Sequence, residues 1–149
     1  MNRRQKAILI ESLAVIAVTA IAVWGMVNLK DWINRSEAMR AMEQLGEEVL
    51  QYRTENGSVP PESYVERIRE KLEGHVRLGR LQYRARWIGF DATSDEILAY
   101  TEKRYPSSLL DDGYVVLRLD GRVQWMKKKK FEKLLAQQQS QTEIDMTQQ

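Results

Sequence analysis

Apolar residues fill nearly every position from Ala7 to Leu29, and Glu11 is the one charge among them. At 1.5 Å of rise per residue the run makes a helix of roughly 34 Å, enough to cross the hydrocarbon core of a bilayer. After Leu29 the pattern narrows to one side. From Lys30 to Glu55 there is no proline, and Met39, Met42, Leu45, Val49 and Tyr52 recur at steps of three and four. That spacing is one face of a helix. Arg40, Glu43, Gln44, Glu47, Glu48 and Gln51 take the solvated face. Gly25 and Gly46 each lower helix propensity by about 1 kcal/mol relative to alanine without forcing a break. The pattern predicts one helix from about Ala7 to Glu55, stopped by Asn56-Gly57 and kept from continuing by Pro60-Pro61.

A shorter helix is expected over about Glu62 to Glu73, with Tyr64, Val65, Ile68 and Leu72 on one side and Gly74 ending it. The period then changes to two. Leu81, Tyr83, Ala85 and Trp87 alternate with Gln82, Arg84 and Arg86, as in a half-buried strand. Ile97 to Tyr100 is a weaker strand, and Tyr114 to Met126 a hairpin turning at Asp120-Gly121. A two-residue loop would set Leu117 opposite Gln124. A three-residue loop, Leu119-Asp120-Gly121 with a left-handed glycine, pairs Leu117 with Val123 and Val115 with Trp125. Only the second gives a clean apolar face, so the bulged turn is expected, at the small cost of Arg118 opposite Arg122. Lys127 to Lys130 and then Phe131, Leu134 and Leu135 suggest a short amphipathic helix. The glutamine-rich end from Gln137 has little to bury and is expected to be disordered.

The organisation is therefore a basic leader over residues 1–6, a membrane span over 7–29, an outer domain over 30–136 and a tail over 137–149. Within the domain, residues 30–55 continue the helix, 62–73 form the short helix and 80–126 carry an antiparallel sheet. The fold class is α+β, a long N-terminal helix packed on that sheet. Arg3, Arg4 and Lys6 precede the span while Lys30, Asp31, Arg35 and Glu37 after it are mixed, so the N-terminus is expected in the cytoplasm and the domain outside. Ala20-Ile21-Ala22 also offers a signal-peptidase site, which would release a chain starting at Val23.

Charge and cysteine content narrow the classes. With 23 basic and 21 acidic residues the net charge is +2, too balanced to imply nucleic acid by itself. The chain has no cysteine, which removes disulfides, thiol catalysis and cysteine metal sites. A carboxylate inside a membrane helix costs up to a few kcal/mol, so Glu11 stands out as a residue with a use.

Three stretches carry a family resemblance. Ala7-Ile8-Leu9-Ile10-Glu11-Ser12-Leu13-Ala14-Val15-Ile16-Ala17 is close to the F-T-L-I-E-L-L-V-V-I-A stretch of type IV pilins and type II secretion pseudopilins. Tyr52-Arg53-Thr54-Glu55-Asn56-Gly57-Ser58-Val59-Pro60 is similar to the Y-x-x-D-N-G-x-Y-P ending of their long helix. Val116-Leu117-Arg118-Leu119-Asp120-Gly121-Arg122-Val123-Gln124-Trp125 resembles the V-L-F-x-D-G-H-V-E-W hairpin of pilin-like proteins abundant in planctomycetes. The resemblance implies a structural subunit of the bacterial inner membrane, working with other pilin-like subunits and inner-membrane assembly proteins as a homo-oligomer or filament. It implies a cut between Lys6 and Ala7, N-methylation of the new end, and pairing of Glu11 in one subunit with the Ala7 amine of the next. Lys6 stands where the family has glycine, and the proline usual near the end of the span is missing from Val27-Asn28-Leu29.

No cofactor, metal or catalytic residue is expected. His75 is the one histidine, too few for a triad or a multi-histidine metal site. Asp111, Asp112 and Asp120 fit no calcium-loop spacing and read as turn formers. The remaining candidate is a basic strip for DNA or an acidic polymer, made of Arg80, Arg84 and Arg86 on one strand face with Lys127, Lys128, Lys129 and Lys130. It belongs to the alternative expectation, an anchored accessory protein that never polymerises.

Overall fold

A computed structural model describes residues 2–89 and 91–147. The first residue of the leader, residue 90 in the sheet region and the last two of the tail lie outside the described residues.

The long helix α1 (Arg3–Asn56) runs unbroken for 54 residues, roughly 80 Å. It starts ahead of the apolar run, because Asn2 and Gln5 cap it reciprocally. Arg3 N–H donates to Asn2 Oδ1 at 3.1 Å, and Asn2 N–H to Gln5 Oε1 at 3.0 Å. It ends where the Asn-Gly signal predicts. Gly57 takes φ +71 and its N–H donates to the Arg53 carbonyl at 2.8 Å. The apolar first half lies clear of the rest of the fold, exposed on every side through Met26. Thr19 Oγ1 donates to the Val15 carbonyl and Asn28 Nδ2 to that of Trp24, each at 2.8 Å. These two side chains return their hydrogen bonds to the helix's own backbone, the arrangement a lipid-facing segment would need.

The second half of α1 lays Ala38, Ala41, Met42, Leu45, Gly46 and Val49 on a four-stranded antiparallel sheet. Its strands are β1 (Leu81–Tyr83), β2 (Ile97–Lys103), β3 (Gly113–Arg118) and β4 (Val123–Lys127), in that spatial order. Helices α2 (Glu62–Arg69) and α3 (His75–Leu78) close one flank, burying Val65 and Leu78 in the same core. The expected helix to Glu73 stops at Arg69, and a turn leads to Gly74 at φ +73, on which α3 begins.

The β3–β4 hairpin has the bulged register. Leu117 pairs with Val123 and Val115 with Trp125, and Gly121 takes φ +87. The Arg118–Arg122 contact is answered by acids. Arg118 Nη1 lies 3.5 Å from Asp95 Oδ1, Arg122 Nε lies 2.5 Å from Asp120 Oδ2, and Arg122 also pairs with Asp95.

Two expectations fail. The strand from Leu81 to Trp87 is cut short at Tyr83, and Ala85–Trp87 form a 3-10 turn. Arg84 leaves extended geometry at φ −104, ψ 9 and turns its side chain inward, where it is 3% exposed. The described part of the tail, residues 137–147, is largely helical where disorder was expected. Helix α4 (Lys128–Gln138) crosses the outer sheet face and α5 (Gln141–Thr147) follows it. Phe131 is buried against Tyr100 and Tyr114, with ring centroids 4.8 and 3.9 Å away, above Ile97, Val116 and Met126. The sheet is thus covered on both faces.

Gly46 sets the distance between α1 and the hairpin. A methyl group there would come within 2.9 Å of Leu117 Cδ1 and 3.2 Å of the Gly121 carbonyl oxygen. Gly46→Val is therefore expected to destabilise the domain by about 1–3 kcal/mol, measured by denaturant unfolding of the full chain in detergent.

Candidate functional site

The residues expected to act in assembly lie on the bare part of α1. Lys6, Ala7 and Glu11 are all exposed. One helical turn separates Ala7 from Glu11, so both stand on the same side. Among the described residues, Glu11 makes no ion pair or side-chain hydrogen bond within the chain.

The seven basic candidates do not form one strip. Arg80 and Arg86 are exposed beside edge strand β1. They line a cleft of about 710 Å³ with Trp87, Tyr100, Tyr114 and Met146, and Arg86 lies 5.1 Å from the Trp87 ring centroid. Its charge is mixed, since Glu62 and Glu102 line it too. Lys127 to Lys130 begin on the opposite edge strand, β4, and enter α4. Lys127 Nζ lies 2.6 Å from Asp111 Oδ2, and Lys128 Nζ lies 3.7 Å from Glu102 Oε1. Hydrogen bonding from Lys127 holds the Asp111 carboxyl below its ordinary range, and Arg104 does the same for Glu102.

Arg84 is lost to the strip because it anchors the tail. Its Nε lies 2.6 Å from Glu143 Oε1 and its Nη2 lies 2.9 Å from Oε2, a two-pronged pair with both side chains 3% exposed. Nη1 donates to the Ile97 carbonyl at 2.7 Å and Nη2 to that of Gln138 at 3.2 Å, while Gln138 Oε1 accepts the Ile97 N–H at 2.9 Å. One guanidinium thus ties β2, α4 and α5 together. Sequence reasoning missed Glu143, which stands in a polar segment. The available signal was the apolar run Val115-Val116-Leu117, which marks a strand buried on both faces.

Further polar side chains are enclosed elsewhere in the domain, Lys103 and Tyr105 among them. Lys103 Nζ donates to the Arg77 carbonyl, and burial together with the Arg77 charge lowers its pKa. Tyr105 is 4% exposed, its hydroxyl makes no hydrogen bond among the described residues, and burial pushes it up to about 12. Tyr83, whose hydroxyl donates to the Pro60 carbonyl at 2.7 Å, is raised further, again by burial. His75 Nδ1 lies 3.0 Å from the Leu72 carbonyl oxygen. Asp111 and Asp112 precede β3 while Asp120 follows it, so the three acids stand at opposite ends of the strand. Among the described residues no group of three histidine or acidic side chains is placed to hold a metal ion.

Comparison of the chain with protein-family models, curated proteins and solved structures gives no match.

Two outcomes follow from the buried groups. Arg84→Met or Glu143→Gln removes one side of a buried ion pair and should cost about 3–5 kcal/mol. Proteolysis should then begin at the freed α4–α5 segment, and the double variant Arg84→Met/Glu143→Leu should recover much of the loss. In alkali, Tyr83 and Tyr105 keep their protons in the fold beyond the ordinary 10.0, whereas the unfolded chain releases them there. Their stabilisation is complete below pH 10.0 and is lost as pH rises through the folded values. Lys103 acts oppositely, adding stability as pH rises toward 10.5. The melting temperature of the full chain should therefore fall between pH 10 and about 12, less steeply in Tyr105→Phe.

Proposed function

We propose that this chain is a pilin-like or pseudopilin-like structural subunit of a type II secretion or type IV pilus-type assembly, anchored in the bacterial inner membrane by residues 7–29. The observation that carries the reading is the division of one unbroken helix. Its first half is apolar, bare and marked by a single carboxylate, and its second half is clasped by a sheet domain.

Function then follows from what bare helices do in lipid. Hydrocarbon-facing helices slide against one another because lipid tails are as apolar as leucine, so a polar pairing is needed to set register. Cleavage between Lys6 and Ala7 would create an ammonium one turn before Glu11. Its pairing with Glu11 of a neighbour satisfies both charges and fixes the stagger between subunits, a pairing strongly favoured over leaving either charge alone in lipid. The head domain then stacks outside the membrane with the periodicity of the helices below.

One observation favours a second reading, an anchored accessory protein that never polymerises. The Lys6–Ala7 bond lies inside the capped start of α1, with lysine in place of the family's glycine. Without the cut, Glu11 would be satisfied by a basic or hydroxyl group on a different membrane protein.

The mature N-terminus separates the two readings. Intact mass and terminal sequencing of protein from native membranes should give a methylated Ala7; an intact Met1 would leave the accessory reading, and a start at Val23 would mean a released domain. In the subunit reading, Glu11→Ala inserts normally and loses assembly in membrane cross-linking. Wild-type assembly of that variant would refute the Glu11 pairing.

A further inference from the structure

The end of the domain nearest the apolar half of α1 is built unlike the far end. Helix α1 gives the direction. Arg53 Nη1 donates to the Leu119 carbonyl at 2.5 Å, placing the hairpin turn at the far end, while Arg35 stacks 5.1 Å from the Trp125 ring centroid toward the near end. Strand β4 runs from the turn past Trp125, so Lys127 and the first turn of α4 arrive at the near end. The segment joining β2 to β3, residues 104–112, reaches furthest. Its Leu109 N–H donates to Asn28 Oδ1 at 2.7 Å. Asn28 is one residue short of the end of the apolar run, so this loop tip sits level with the last turn of the span.

What stands at that level is apolar and exposed. Leu109 is 74% exposed, and Trp24, Leu29 and Trp32 are each more than half exposed around it. A leucine held out by a backbone hydrogen bond beside two tryptophans suits the boundary between hydrocarbon and headgroups, where aromatic residues anchor membrane proteins. Exposed cations stand at this end as well. Lys30, Arg104 and Lys127 to Lys130 are all exposed. The acids at the same end include Asp31, Asp111, Asp112, Glu102 and Glu132, the last 4.0 Å from Lys128 Nζ. Asp111 is engaged by Lys127, Glu102 by Arg104 and Lys128, and Asp112 Oδ1 accepts the Tyr105 N–H at 2.6 Å. Lys129 and Lys130 have no ion pair among the described residues.

We infer that loop 104–112 and the Lys127–Lys130 run form a second membrane contact, with Leu109 entering the bilayer boundary and the lysines meeting acidic phospholipid headgroups on the face where α1 emerges. The inference rests on the reading of residues 7–29 as a membrane span. It gives the lysine run a partner other than DNA. It also gives α1 a defined rotation about its own axis, since only one side of the helix carries the loop. Each lysine near an anionic surface is worth about 1 kcal/mol, or about fivefold in the ratio of docked to lifted states, and the effect is screened by salt.

The chain has no cysteine, so single cysteines report position without background. Val18→Cys, Leu109→Cys and Ser58→Cys, all at exposed positions, would be labelled with a fluorophore in the full chain, one chain per nanodisc. The discs would be phosphatidylcholine with or without phosphatidylglycerol. Quenching by iodide in water is compared with quenching by nitroxide-bearing lipid. The expected result is lipid quenching at 18, iodide quenching at 58, and at 109 several-fold protection from iodide with quenching by shallow nitroxides in phosphatidylglycerol discs. High salt, or Lys129→Gln with Lys130→Gln, should shift the docked-to-lifted ratio by roughly twenty- to thirtyfold, at about fivefold per lysine. Iodide access at 109 equal to that at 58, with 18 still in lipid, overturns the second contact and leaves the anchor standing. Iodide access at 18 overturns the anchor, and the second contact with it. Equal protection at 109 without phosphatidylglycerol overturns the acidic lipid as partner. Protection that needs two chains per disc assigns the surface to a second copy and overturns the inference.

Discussion

Everything in this protein hangs on one helix built in two unlike halves. The residues of α1 up to Met26 present apolar side chains on all sides and gain nothing from the rest of the chain. The stripe from Ala38 to Val49 buries one side only. A helix apolar all round would leave no solvated face beside the sheet, and a helix with one charged face would be costly in lipid. The change of pattern after Leu29 is therefore the boundary condition for the fold. The small residues Ala38, Ala41 and Gly46 let the sheet approach closely on the buried side, and the charged face from Arg40 to Gln51 keeps the opposite side wet.

The sheet inherits the next constraint. A single helix covers one face, and a four-stranded sheet with Tyr100, Tyr114, Val116 and Met126 on the other cannot leave them all to water. The C-terminal helices supply that layer, but they contribute few large apolar groups besides Phe131. The tail is held instead by a guanidinium that meets Glu143, Ile97 and Gln138 together. A buried pair of this kind adds little net stability over an apolar replacement, but it is sharply directional. It fixes where α5 sits, which in turn closes one side of the cleft through Met146.

Much of this was legible because it depends on periodicity. The long helix, its stop at Gly57, the hairpin and its bulged register all follow from spacing and turn chemistry. The register was decidable because only one pairing keeps Val115, Leu117, Val123 and Trp125 together. Arg84 and Glu143 were not legible. Alternation through Leu81–Trp87 reads as strand, and nothing local reveals that the arginine in the middle turns inward to meet a glutamate near the chain's other end. A polar tail reads as disorder when its burial rests on one ion pair rather than on a stripe. Among the residues expected to act in assembly, sequence marks Glu11 by its incongruity in an apolar run. The structure adds that its own chain leaves it unengaged among the described residues.

The unbroken backbone of α1 also has a mechanical meaning. With no proline between Arg3 and Asn56, residues 30–56 are a rigid continuation of the apolar segment 7–29. From Lys30 to Asn56 that lever arm is roughly 40 Å long. If the span leans by about 20°, as such helices commonly do, the far end of the head swings sideways by roughly 14 Å, since sin 20° is about one third. In a bilayer, small changes in lipid thickness or in neighbours around residues 7–29 would thereby become large lateral displacements of the hairpin turn, with no proline in between to absorb them.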